Sequence, residues 1–324
     1  RAVLNRLAIR SGYDPQFGGG IYNHGVLTVT NSLLSDHRSD GSGSAIYNDI
    51  GTVVVQNTRI YNNAAAEDGG AIFNDRGQVT LLDSAVYSNT AAGTTLGGGG
   101  ILNHGDDVDP AGMTLIGAMV YSNTAKAGGG LYNDGGLLSV TNSTLADNGA
   151  TTAGGGIANH GTLTVTNSTF AANTAANSGA DSAGSLYNGA QATLTMSNTF
   201  ASDSAGGTDC YSDPSATLIS FNNLVEDGGC NAAFSGDPLL GALQDNGGGA
   251  WTEALLPGSP AIDRGIACTG SDQRGVPRPQ GAACDIGAFE SQGFVLSKTG
   301  GDNQQALNQA PFGGPLSLAV SSQS

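Results

Sequence analysis

The sequence predicts an all-β chain wound as a parallel β-helix, a solenoid in which short strands stack coil upon coil. Three observations carry this. A unit typified by Gly18-Gly19-Gly20-Ile21-Tyr22-Asn23-His24-Gly25 recurs to about residue 200, with its asparagine at 23, 48, 74, 103, 133, 159 and 188. A short repeating period of this kind marks a repeat architecture. Each unit is followed by strict alternation, as in Leu163-Thr164-Val165-Thr166, which is the period of a strand with one apolar face. Aligned on that segment, two columns stay apolar through seven units: Leu27, Val53, Val79, Met113, Leu138, Leu163, Leu194 and Val29, Val55, Leu81, Leu115, Val140, Val165, Met196. The column between them is mostly hydroxylated, so the units must stack in register.

One coil of about 25 residues accommodates three strands and three turns. The first lies at Gly-Ile-Tyr-Asn and the second at Leu-Thr-Val-Thr. The third follows Asn-Ser, with inward Leu34, Ile60, Val86, Val120, Leu145 and Phe170. A single coil cannot bury its own apolar face, so stacking supplies the core. An α-helical solenoid is excluded by the alternation and by glycines that would each cost a helix about 1 kcal/mol. Asparagine fills the turns in two columns: Asn31, Asn57, Asn142, Asn167 and Asn198 (Asp83 and Gly117 substituting), and Asn63, Asn89, Asn123, Asn148 and Asn173. It tolerates left-handed backbone and its amide can bond to the next coil, so these read as structural ladders.

Composition narrows the function. Charged residues are only 12% and apolar residues 39%, against 52 glycines, which fits short strands and tight turns and not a disordered charged chain. The net charge of −16 argues against nucleic acid, which needs a basic face, and against anionic membrane surfaces. No apolar run approaches the roughly 20 residues of a membrane span. The start at Arg1 reads as a mature or trimmed product. Cys210, Cys230, Cys268 and Cys284 all follow the repeats. Their even number suggests two disulfides and an oxidising, exported setting.

In chain order, residues 1–235 form the β-helix. The segment Leu4–Arg10 resembles the last strand of an earlier coil, leaving an open edge with Leu7 and Ile9 as candidates for contact with another copy. Residues 201–235 form a final irregular coil, flanked by Cys210 and Cys230, whose pairing would close a loop of about 20 residues. Residues 236–292 are a Pro/Gly-rich C-terminal cap, and residues 293–324 an extended tail.

The cap carries three distinctive phrases, Pro257-Gly258-Ser259-Pro260-Ala261-Ile262-Asp263, Asp272-Gln273-Arg274-Gly275 and Cys284-Asp285-Ile286-Gly287-Ala288-Phe289-Glu290. With them the chain resembles bacterial choice-of-anchor Q domain proteins over about residues 1–292. The resemblance implies an exported bacterial protein and a right-handed parallel β-helix, here of about eight or nine coils with a disulfide-bearing cap. It implies no enzyme activity. The tail, Phe294–Gln304 and Pro315–Val320, resembles the opening strands of bacterial immunoglobulin-like repeats. Two readings stay open: the tail is a linker in a truncated chain, or its strands add to a neighbouring molecule, with Phe294, Leu296, Leu316, Leu318 and Val320 as the candidates.

No catalytic, cofactor or metal site is expected. A glycosidase needs two carboxyls about 5–10 Å apart, whereas the acids of the coils, Asp83 among them, are scattered over turns, and only Arg59, Arg76 and Lys126 are basic between residues 50 and 200. His24, His104 and His160 share a column with Asp49, Asp75 and Asp134, placing His104 between Asp75 and Asp134. That reads as a turn column with charge pairing. Asp106, Asp107 and Asp109 read as a solvated acidic loop, and the outward threonines as ordinary strand formers. The expected function is an extracellular structural or adhesive surface protein that assembles end to end into a filament. The alternatives are a polysaccharide lyase or hydrolase acting on the lateral face, and a passive glycan-binding module.

Overall fold

The computed structural model describes the chain apart from residues 107, 178–181, 269, 302–303, 307–310, 312 and 323–324. The described residues hold strands and turns only, wound as a parallel β-solenoid of about eight turns. Each predicted strand forms. The first face holds Ile21–Asn23, Ile46–Asp49, Ile72–Asp75 and Ile101–His104, and the second Val26–Thr30, Thr52–Gln56, Gln78–Leu82 and Gly112–Ile116. In the next two coils, where no loop intervenes, both faces run as single strands, Leu131–Thr141 and Ile157–Thr166. The third face is a nine-stranded parallel sheet that includes Arg59–Tyr61, Ala85–Tyr87, Met119–Tyr121, Thr144–Ala146, Thr169–Ala171 and Phe200–Ser202.

A fourth face was not expected. Two-residue strands such as Arg38–Ser39, Ala64–Ala65 and Thr90–Ala91 form a seven-stranded sheet. Two residues are too few to show alternation, so this face leaves no periodic signature.

Register matches the alignment: Leu163 pairs with Leu138 and Leu194, and Val165 with Val140 and Met196. Leu34, Ile60, Val86, Val120, Leu145 and Phe170 are fully buried in one continuous core. Each such side chain contributes about 1.5–3 kcal/mol by leaving water. The asparagine columns divide by role. Asn31, Asn57, Asp83, Gly117, Asn142, Asn167 and Asn198 all take positive φ, between 46° and 63°. Asn63, Asn89, Asn123, Asn148 and Asn173 are buried, each side-chain amide donating to the next at 2.9–3.0 Å. The repeat-defining asparagines, from Asn23 to Asn188, form a further ladder with links of 2.7–2.8 Å. The glycine runs make tight turns. Gly128 and Gly154 have φ of 57° and 65°, and a Cβ at either would strike the carbonyl oxygen three residues on.

Both disulfides form, Cys210–Cys230 and Cys268–Cys284. Cys210, Cys230 and Ala232 pack against the last layer of the core. The Pro/Gly-rich cap lies elsewhere, along the outside of the third face. Its Leu255, Ala261, Ile286 and Phe289 form a second core with outward Phe200 and Leu224. Fastenings run back along the coils: Asn222 to the Arg264 carbonyl (2.8 Å), Asn198 to the Ile266 carbonyl (2.8 Å) and the Ala288 amide to Thr169 Oγ1 (3.0 Å). Thr144 then donates to Gln273 Oε1 (2.6 Å), and Asn142 to the Ser271 carbonyl (2.9 Å). The tail forms an antiparallel hairpin, Phe294–Gly300 with Ser317–Ser322.

Candidate ligand-binding cleft

Inward Ile60, Val86 and Val120 are each followed by an outward tyrosine, Tyr61, Tyr87 and Tyr121. Parallel register stacks the three rings, with centroids 5.0 and 4.7 Å apart and planes within 13° of parallel. Each contact contributes about 0.5–1.5 kcal/mol beyond burial. The next residue in the column is Ala146, paired with Tyr121. Trp251, the single tryptophan, comes from the cap and stacks on Tyr121 at 6.1 Å. It continues the aromatic column where the coil itself supplies only a methyl group.

Where the cap stops, a cleft of about 750 Å³ opens between its edge and the uncovered coils, well within the size range of small-ligand sites. Its floor is Arg59, Ala85, Met119, Tyr87 and Tyr121. One rim is the left-handed turn column Asn57, Asp83, Gly117 and Asn142, and the opposite wall is Gly248–Trp251 with Ser271–Gly275. A Cβ at Gly117 would press on Asp83 Oδ1, so the glycine gives that carboxylate its room. Burial, then Tyr61, raises Tyr87, and burial, then Tyr87, pushes Tyr121 up to about 12, so both phenols keep their protons at neutral pH.

The wall is held rigidly. The Asp272 carboxylate accepts the Arg274 guanidinium at 2.8 and 3.0 Å and the backbone amides of Arg274, Val276 and Glu290. Arg274 also lies 3.6 Å over the Phe289 ring and donates to the Asn246 and Glu290 carbonyls. Behind it the wholly buried Arg278–Glu290 pair closes at 3.0 Å. Glu290 further accepts the amides of Gln280 and Asp285. Burial pushes Asp285 up to about 6, although the amides of Ser291 and Asp263 donate to it. The phrases that carry the family resemblance therefore build and fasten the cap.

The other expected residues lie away from the cleft. Leu7 is 43% exposed and Ile9 packs against the core of the first coils. The tail residues face one another: Leu296 pairs with Val320 and Lys298 with Leu318, while Phe294 pairs with Ser322. Leu296, Leu316, Leu318 and Val320 are 48–66% exposed. The histidine column keeps its aligned register on one side of His104 only, because a bulge after Asn103 sets Gly135 and not Asp134 opposite it. Asp75 sits opposite His104 in register, and His104 Nδ1 lies 2.7 Å from Asp134 Oδ2, which raises the imidazole. His24 meets Asp49 at 3.2 Å, and His160, lowered by burial, stacks on Tyr132. Asp106 accepts the amides of Val108 and Asp109, a self-contained turn, while Asp107 falls outside the described residues. Among the described residues no cluster of three or more His, Cys, Asp or Glu is arranged to hold a metal, and no helix is long and apolar enough to cross a membrane.

Arg59 and Asp83 were visible in the sequence only as scattered charges; stacking brings them to one cleft. Tyr87, Tyr121 and Trp251 were missed, although the tyrosine that follows each inward residue at 61, 87 and 121 is a legible column. No protein-family model matches the chain, and neither a curated protein nor a solved structure is similar to it.

Proposed function

We propose that this chain is an exported structural and adhesive surface protein that holds a ligand in the cleft beside its cap without turning it over. The carrying observation is the aromatic column Tyr87–Tyr121–Trp251, lined up in a preformed cleft with one rigid wall. Of the two carboxylates among the described lining residues, Asp272 is committed to Arg274 and three backbone amides. Asp83 alone is exposed, and hydrolysis of a glycosidic bond calls for two. Two disulfides suit an oxidising compartment.

The test is retention of the purified chain on immobilised extracellular-matrix proteins and surface polysaccharides, with Trp251→Ala alongside. Retention that the variant loses supports the reading. Equal retention by both proteins, or release of cleaved products into solution, overturns it.

A second reading, self-association through the tail, is favoured by the row Leu296, Leu316, Leu318 and Val320 left exposed on the hairpin. Sedimentation over a range of concentrations decides it. A monomer throughout, or an oligomer unchanged by Leu296→Ser with Leu318→Ser, removes it.

A further inference from the structure

Along the solenoid axis the cleft sets Tyr87 and Tyr121 4.7 Å apart, and Trp251 follows 6.1 Å from Tyr121. We infer that its ligand is a neutral, extended hexopyranose chain lying along that axis, about one sugar per coil. This deepens the adhesive reading above and rests on it.

Periodicity is the first argument. Parallel strands recur every 4.7–4.9 Å, and an extended β-linked pyranose chain advances by a similar amount, on the order of 5 Å per sugar. Each coil therefore offers successive sugars the same kind of contact. Tyr87 and Tyr121 present protonated hydroxyls, able to donate and to accept. Across the floor Asn57 and Asp83 stand on the turn column. Trp251, 44% exposed, supplies the flat apolar surface against which the C–H face of a sugar packs.

Charge is the second argument. Arg59 and Asp83 are the exposed side chains of formal charge among the described lining residues, one of each sign. The chain as a whole carries −16. A polyuronate or a nucleic acid would meet one guanidinium in a repelling field. The backbone is the third argument. The strands of the floor are hydrogen-bonded on both sides within the nine-stranded sheet, so a peptide cannot add to them as a further strand. Recognition must come from side chains, and these are phenol, amide, carboxylate, guanidinium and indole, a set suited to hydroxyl-rich rings.

The experiment is calorimetric titration with β-1,4-linked tetramers of glucose, mannose and N-acetylglucosamine, at low and high salt. Polygalacturonate and a Pro-rich peptide serve as competing classes. The expected result is binding of at least one neutral tetramer with little salt dependence. Asp83→Asn should weaken it roughly fivefold to tenfold, the difference between a hydrogen bond to a charged acceptor and one to the neutral amide oxygen that replaces it. That variant is safe for the fold, because asparagine occupies the same left-handed position at 57 and 142. Trp251→Ala should weaken it about tenfold or more. Neutral binding unaffected by both variants overturns the site. Binding of polygalacturonate or peptide alone overturns the ligand class and leaves the adhesive reading standing. Silence from every probe, with no retention in the adhesion assay, overturns both.

Discussion

Glu253 sits two residues from Trp251, on the part of the cap that forms the cleft wall. It is buried, its Oε2 has no hydrogen-bond partner, and it faces Asp147 and Asp203. Burial first, then those two carboxylates, pushes it up to about 8 from 4.5. The sign follows from linkage. The folded state holds this proton more tightly than the unfolded chain, so the group's contribution is complete below about pH 4.5. It is lost as pH rises, and the loss levels off above the folded value. A span of about 3.5 units corresponds to roughly 5 kcal/mol in full, and to about 3 kcal/mol by pH 7. Asp147 and Asp203, also raised mainly by burial, add to the same slope. Glu253→Gln removes the titration while keeping the shape. Urea melts followed by Trp251 fluorescence read the cap directly, because that residue is the single tryptophan. The native protein should lose stability steadily from pH 5 to 8. The variant should be much flatter and should exceed the native protein by a few kcal/mol at pH 8.5. At pH 5 it should equal the native protein or fall slightly below it, since its added N–H groups need acceptors. Parallel curves for the two proteins across that range would refute the assignment of the proton to Glu253.

Three further outcomes are expected. Glu290→Gln should destabilise the cap by about 3–5 kcal/mol, because it leaves the buried Arg278 guanidinium without its counter-charge; the tryptophan-detected melt checks this. Asn103→Ala breaks the buried ladder at its middle, leaving Asn74 Nδ2 with only the Gly77 and Gly112 carbonyls and taking from Asn133 Oδ1 the donor of the preceding coil. It should cost about 2–4 kcal/mol, seen in far-ultraviolet circular dichroism melts. Ala146→Tyr places a fourth tyrosine in the seat of Trp251 on Tyr121. It should displace the indole, shift its emission to the red and loosen the cap while the coils remain intact.

Legibility in the sequence followed the physics of each element. Columns at Leu163 and Val165 were readable because stacking in register repeats the same demand every coil. Strand existence, register and the inward third column all came through that repetition. The fourth face did not, since Ala64–Ala65 is too short to alternate. Nor did the cap's place. Its prolines and glycines mark irregular chain, and irregular chain has no period to align. Yet the docking surface left a trace in the repeats themselves. The outward positions Tyr61, Tyr87 and Tyr121 give way to Ala146, Ala171 and Ser202, all buried. A column that turns small at fixed depth signals something packed against it, and here that is the cap. Likewise Phe200, outward on a strand, is fully buried, an apolar residue on the wrong side of an isolated solenoid.

This arrangement makes ligand binding and cap docking two sides of one equilibrium. The cleft exists because the edge of the cap, Gly248–Trp251 with Ser271–Gly275, leaves Tyr87 and Tyr121 partly open. A ligand that touches both the tyrosines and Trp251 bridges coil and cap, so it binds the docked state and stabilises it by mass action. At a hundredfold excess over its dissociation constant this amounts to about 2.7 kcal/mol. That is comparable with the roughly 3 kcal/mol that the Glu253 proton equilibrium withdraws by pH 7. Ligand should therefore raise the cap melt by the same increment at each pH, leaving its slope unchanged, and apparent affinity should fall towards pH 8 in proportion to the fraction of undocked cap. A ligand confined to the tyrosines would do neither, so the coupling itself distinguishes a cleft used across its full width from one used on its floor alone.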